Sequence, residues 1–488
     1  MELQALFSEK RPIFQELGSP EVRTSLELWH DALKFRDAIE AASGGRRPTI
    51  AVMLRQDYGM VTALVGAHLA GAVIAPLYPA LRPAELCDVF NLIRPTLAVT
   101  SRGDLPEVLE GLGASTNASK TASIWKIDYD DGQFVDVPGT ADMILNSSGS
   151  TGRPKGILLS GATVLRNAHC FGSRLGLVPG ARYYCPLPFA HSGGIVMGWW
   201  AAVTTGAHFL TSVEFNASES AHQLVELSPE FVGAVDTMFV RWAAEVPGRS
   251  LGRTAWSTGD EATLRKVQES CGFEHVVRPY GLTECSPNVG VGDPAIATGP
   301  PADARIWVHE GIEVRIDTEG GVNTELAGEV EGEILVTGWS LGLGYVTESG
   351  VIPLPLEGGW LRTGDLGYLD SVGALLFTGR LKEMLKVGGL NIWPQEIEEA
   401  FRVSRFPREV CVVGRADSEY GEVPVAVLDE APSAEALAAL RSSCAGLPRI
   451  KQPRAYYSLG HGFPVTPSGK LDRRRITALI DGGSAKEL

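Results

Sequence analysis

From Thr49 onward the chain alternates short apolar runs with segments of helical period. Runs at 49–54, 72–77 and 96–101 flank helical patterns at 58–71 and 82–93. A short apolar run followed by a helix-length segment reads as a strand and its crossover helix. Repetition of that pair predicts a parallel sheet with right-handed connections.

After Leu175 the alternation loosens, and short β-type runs at Glu313–Asp317 and Glu333–Gly338 predict an added β-rich region. Composition shifts near Gly379. Beyond it the pattern reads as helix 394–402, strands 410–416 and 423–428, helix 433–446, strand 455–459 and helix 471–480. Pro394, followed by Glu396, Glu398 and Glu399, suits a helix N-terminus, where the missing N–H costs nothing and negative charge is favoured. Gly482–Leu488 reads as a frayed tail. The fold class is therefore α/β: a large N-terminal α/β domain with parallel-rich sheets and a β-rich subdomain, then a small C-terminal α/β domain.

Composition narrows the function. A net charge of −15 over 488 residues argues against nucleic-acid binding and supplies no polybasic membrane patch. The seven cysteines are scattered without a Cys-x-x-Cys pair, which fits reduced thiols in a cytoplasmic protein and offers no legible zinc site. Met1–Phe14 has no apolar core of a secretory signal. Two long uncharged stretches, 59–81 and 183–212, are broken by prolines or histidines and make poor membrane spans.

The strongest chemical signal is Ser147-Ser148-Gly149-Ser150-Thr151-Gly152-Arg153-Pro154-Lys155-Gly156. Glycines admit close backbone approach to an anion, hydroxyls donate further hydrogen bonds, and Lys155 adds a point charge. The P-loop template fails, because Pro154 stands where it needs glycine and Gly156 where it needs Ser or Thr. Read alone, such a cluster is a surface turn.

Further clusters change that reading. Tyr280-Gly281-Leu282-Thr283-Glu284 offers an aromatic face, a hydroxyl donor and a hard oxygen ligand. Asp365, after the turn at Thr363-Gly364, suits a diol, although an Asx turn is the plainer reading. Gly379-Arg380-Leu381-Lys382-Glu383 sits at the composition shift and read alone is a charged linker. Lys470, in Pro467-Ser468-Gly469-Lys470, read alone is a surface charge.

Together these segments, over about residues 49–476, resemble the adenylate-forming superfamily of acyl- and aryl-CoA synthetases, peptide-synthetase adenylation domains and luciferase. The resemblance implies ATP and Mg²⁺ as cofactors. It implies that Ser147, Ser148, Gly149, Ser150, Thr151, Gly152 and Lys155 hold the β- and γ-phosphates. Thr258, Gly259, Tyr280 and Gly281 would line the adenine, with Thr283 near the α-phosphate and Glu284 on Mg²⁺. Asp365 and Arg380 would bind the ribose. Lys382 would be the hinge between domains 1–381 and 382–488, and Lys470 would bridge the reacting carboxylate and the α-phosphate from the mobile domain.

The chain departs from the family pattern in places. The segment before Thr49 is short, Gly161 stands near a position often held by histidine, and Asp260 replaces part of a double glycine. The resemblance places the acid substrate against Phe189, His191, Gly233, Asp236 and Gly281. Ala190 occupies the place matched to the aspartate that pairs with an amino acid's α-amino group, so an unpaired buried ammonium disfavours α-amino acids. Phe189, His191, Trp199 and Trp200 suit a planar aryl acid or simply pack the core. Asp236 either caps a helix starting at Thr237 or holds a polar part of the substrate. The expected acceptor is coenzyme A. A carrier protein, an arylamine attacking activated nitrite, and a non-catalytic nucleotide sensor are the other readings.

Overall fold

The computed structural model describes residues 3–119, 124–132, 134–148, 154–295, 304–318, 325–326, 329–388, 390–403, 410–465 and 471–488. The described residues fall into two compact units. One comprises Met1–Val314 with Val336–Leu361, the other Arg315–Leu335 with Arg362–Leu488.

The first unit contains two large sheets. Thr49–Met53 lies between Val73–Pro76 and Leu97–Thr100, parallel to both. All its residues are buried, as expected of a parallel strand covered on both faces. The sheet continues from Val73–Pro76 to Ala141–Ser148, Pro154–Ser160, Gly344–Thr347 and Gly350–Ile352 on one side, and from Leu97–Thr100 to Ile124–Tyr129 and Ala114–Ser119 on the other, so nine strands share it among the described residues. The helices Tyr58–Leu69 and Pro83–Ile93 follow their strands as the periodicity predicts.

The second sheet has seven strands, ordered His275–Val277, Thr254–Trp256, Phe231–Gly233, Arg182–Tyr184, His208–Thr211, Pro12–Glu16 and Val22–Thr24. All its pairings are parallel except the last. Trp199 and Trp200 lie on a π-helical segment, Gly193–Trp200, and are 0% and 2% exposed. Trp199 packs edge-on against Phe14 and Phe209, so both indoles belong to the core rather than to an open substrate pocket.

In the second unit, the sheet built on Val410–Asp417 and Gly421–Leu428 also includes Leu385–Val387, Leu390–Ile392, Ala455–Ser458 and Lys486–Glu487. The last strand corrects the expected frayed tail. Tyr457 pairs with Glu487, and the Leu488 N–H donates to the Tyr456 carbonyl at 2.9 Å. The helix begins at Pro394 as read, but Glu398 does more than face the helix dipole. It is buried, accepts the Val412 N–H at 2.7 Å, and forms a two-point pair with Arg473 at 2.7 and 3.0 Å. Arg315–Leu335 and Arg362–Leu488 belong to one compact unit, within which Asp365–Leu369 pairs antiparallel with Leu375–Arg380.

Candidate active site

The segment read as a phosphate loop begins at the end of one strand and closes at the start of the next. Ala141–Ser148 pairs antiparallel with Pro154–Ser160, with Ser147 opposite Lys155 and Ser148 opposite Pro154. A P-loop runs from strand into helix, whereas here strand returns to strand, which accounts for the failed P-loop spacing. Gly149, Ser150, Thr151 and Gly152 lie outside the described residues, and Ser147 and Ser148 are described by their backbone. Lys155 is exposed at the start of the return strand.

That return strand carries a partner on its other edge. Gly344–Thr347 runs antiparallel to it with Tyr345 opposite Ile157. Residues directly opposite share a face, and so do residues two apart, so Lys155 and Tyr345 project from the same side as diagonal neighbours. The Lys155 ammonium stands 5.2 Å from the centroid of the Tyr345 ring.

The same tyrosine reaches the Tyr280–Glu284 segment. Its hydroxyl donates to Glu284 Oε1 at 3.1 Å. Thr283–Cys285 forms a 3-10 turn, and the Gly342 N–H donates to the Glu284 carbonyl at 2.7 Å just before the tyrosine strand begins. Burial, and then the Glu284 charge, push the Tyr345 hydroxyl above its usual range, so it stays protonated and donates. Among the described residues no cation pairs with Glu284. A partly exposed carboxylate that, among the described residues, accepts one hydrogen bond and meets no cation fits a hard cation such as Mg²⁺.

A buried polar clamp holds this segment from behind. Asn167, in the helix Gly161–Leu175, donates to the carbonyls of Cys285 and Asn288 at 3.3 and 2.7 Å and accepts the Asn288 N–H at 3.1 Å. Asn288 Oδ1 lies 2.7 Å from His309 Nε2, and burial holds that imidazole down to about 4. Ser286 donates to the Ser340 carbonyl at 2.8 Å. Gly281 is obligatory here, since a Cβ would sit 2.0 Å from the Pro287 carbonyl oxygen. Tyr280 is 6% exposed.

The departures from the family pattern have local causes. The Gly161 N–H donates to Asp142 at 2.6 Å, and a Cβ there would meet the same carboxylate at 2.6 Å, leaving no room for histidine. Asp260 caps the helix Glu261–Cys271 by accepting the Thr263 N–H at 2.9 Å. Thr258, two residues earlier, is exposed, and Gly259 is buried.

The residues read as the acid pocket divide. Phe189 is buried, with its N–H on Gln56 at 3.2 Å and its ring 5.9 Å from Phe209. His191 is half-buried and its Nδ1 accepts the Gly193 N–H at 3.1 Å. A Cβ on Gly233 would collide with the Trp256 indole nitrogen at 2.2 Å. Asp236 does not cap a helix from Thr237: the helix is Asp236–Glu245 with Val235 at its cap, so Asp236 is the first helical residue. Its carboxylate accepts the Ser257 hydroxyl and remains half-exposed.

In the second unit, Asp365 and Arg380 are directly opposed across an antiparallel pair, and Arg380 Nε stands 3.1 Å from Asp365 Oδ1. Lys382 is exposed on a turn closed by the Glu383 N–H on the Arg380 carbonyl at 2.9 Å. Lys470 lies outside the described residues. The sequence reading missed Tyr345, Asn167 and His309. A polar Asn at a buried position of an amphipathic helix was the one available signal.

Residues 7–346 match the family model described as AMP-binding enzyme. The chain belongs to that family. It is 30% identical over 351 residues to a Bacillus subtilis protein named putative acyl-CoA synthetase YngI, an alignment covering 69% of this chain and 63% of that relative. It thus spans less than two thirds of that relative's length. A 2-succinylbenzoate--CoA ligase of Bacillus velezensis is 27% identical over 436 residues, 88% of each chain. Among solved structures, the AMP complex of O-succinylbenzoate coenzyme A synthetase (MenE) from Bacillus subtilis superposes with a TM-score of 0.78 at 23% identity, covering 97% of both chains. ATP-bound MatB from Rhodopseudomonas palustris superposes with a TM-score of 0.81 at 19% identity, covering 99% of both. The adenylate-forming fold, with a large N-terminal and a small C-terminal domain, is thereby established.

Proposed function

We propose that this protein activates a carboxylic acid with ATP and passes the acyl group to the thiol of coenzyme A. The acid's carboxylate oxygen attacks the α-phosphorus, the bond to the bridging oxygen breaks, and pyrophosphate leaves. The thiol sulfur then attacks the carbonyl carbon of the acyl adenylate, loses its proton, and expels AMP. Functionally the chain divides into 1–381 and 382–488, with Lys382 as the hinge that lets Lys470 approach and withdraw.

One observation carries this reading: Tyr345 brings Lys155 and Glu284, from segments far apart in sequence, around a single ring. An ammonium and an open carboxylate together suit a metal-bound polyphosphate. Glu284 would hold Mg²⁺, which when bound would screen the charge of the leaving pyrophosphate. Lys155 would bind phosphate oxygens, and Thr283 would donate to the α-phosphate. Lys470 would neutralise charge as it develops on the α-phosphoryl oxygens, an effect of roughly 3–4 kcal/mol for one well-placed donor. The names of the relatives, CoA synthetases and ligases, support coenzyme A as acceptor.

The preferred acid is planar and aryl, lying against Phe189 and His191, with Asp236 holding a polar part of the substrate. Incubation with ATP, Mg²⁺, coenzyme A and a panel of aryl, fatty and amino acids, read by mass spectrometry, tests this. An aryl thioester with AMP is the expected product, and Asp236→Ala changes the order of preference among acids. Absence of any thioester from the panel overturns the assignment.

A further inference from the structure

We propose that Tyr345 is a positioning residue that sets both the metal-binding carboxylate of Glu284 and the phosphate-binding ammonium of Lys155. The inference rests on the functional reading above and assigns a role to a residue outside its reacting groups. Two backbone pairings and one packing contact fix the ring. The strand pairing puts Tyr345 and Lys155 on one face of the sheet. The Gly342-to-Glu284 hydrogen bond brings the carboxylate's turn beside the strand. The body of the ring packs against the buried core that includes Ile157, which leaves little freedom for its hydroxyl.

The two interactions use different parts of one side chain. The hydroxyl donates to Glu284, and the π face attracts the ammonium. No ion pair joins Lys155 to Glu284 among the described residues, so each charge is held by the tyrosine without being neutralised by the other. A phenylalanine would keep the face and lose the donor. A leucine would lose both.

Isothermal titration of wild type, Tyr345→Phe, Tyr345→Leu and Glu284→Gln separates these roles, using ATP with Mg²⁺ and ATP with EDTA as the two probes. Tyr345→Phe is expected to weaken Mg²⁺-ATP binding roughly tenfold, as for loss of a hydrogen bond to a charged group. It is expected to leave metal-free ATP unchanged. Tyr345→Leu should further weaken metal-free ATP by roughly threefold through loss of the cation–π contact. If Glu284→Gln weakens Mg²⁺-ATP binding and Tyr345→Phe does not, the positioning role is wrong while the functional reading stands. If Glu284→Gln itself has no effect on Mg²⁺-ATP, both are wrong.

Discussion

Asp365 and Arg380 face each other across an antiparallel pair, with Arg380 Nε 3.1 Å from the carboxylate of Asp365, a buried residue that is 3% exposed. The Thr363 hydroxyl shapes the turn before it, accepting the Asp365 N–H at 3.0 Å and donating to the Ile334 carbonyl at 2.7 Å. A carboxylate held this firmly suits two adjacent hydroxyl donors such as a ribose diol. Asp365→Asn is expected to weaken ATP binding roughly tenfold, in line with hydrogen bonds to a charged acceptor. It should also shrink the preference for ATP over 2′-deoxy-ATP, measured by titration. An unchanged preference would remove the ribose from this pair.

The pair Arg473–Glu398 supports the fold of the second unit. The guanidinium bridges Glu398 and the Val412 carbonyl, and its Nε lies 3.9 Å from Glu383. Removing one partner strands the other charge in a mostly buried place. Arg473→Met or Glu398→Ala is expected to cost about 3–5 kcal/mol, the usual range for breaking such a pair. The drop in the urea midpoint of the second unit's transition measures it.

Histidine burial predicts acid sensitivity. His309 and His208 are both held down to about 4, by burial first and then by Arg174 and Arg182 respectively. Below their unfolded value of 6.5 the unfolded chain takes up these protons and the folded one does not. Stability is therefore present above 6.5 and lost as the pH falls toward 4, with a slope of at most ~1.4 kcal/mol per pH unit for each histidine. His309→Gln should lower stability at neutral pH, through the Asn288 contact, yet flatten the acid limb. Urea unfolding at neutral pH and near about pH 5 compares the two slopes.

Gly233 tests a different kind of contact. A methyl group there would press on Trp256, whose indole N–H donates to the Tyr183 hydroxyl at 2.7 Å, which in turn donates to the Met197 carbonyl at 2.8 Å. Gly233→Ala is expected to destabilise the protein by about 1–3 kcal/mol, as for other overpacked sites. Thermal unfolding reads the change.

Much of this organisation was legible in the chain itself. Strands such as 49–54 and helices such as 82–93 declared themselves by period, because the central strands are buried on both faces and the helices on one. The chemical segments stood out because Gly, Ser, Thr and Lys cluster without an apolar period to explain them. Tyr345 was not. Its importance comes from register with Pro154–Ser160, a pairing between segments distant in the chain that no local pattern encodes. The tail misled for a similar reason. Lys486–Glu487 has little strand propensity and is held by an edge already formed. Asp236 was read one position off, since Val235 enters extended and caps the helix through its backbone.

Acid-dependent, reversible attack at the α-phosphorus of ATP is the defining step of the proposed reaction. Exchange of labelled pyrophosphate into ATP, run without coenzyme A, measures that step alone. Exchange is expected to require both Mg²⁺ and a carboxylic acid and to collapse in Lys470→Ala. Exchange supported by nitrite and by no carboxylic acid, or no exchange with any acid, would contradict the proposed reaction.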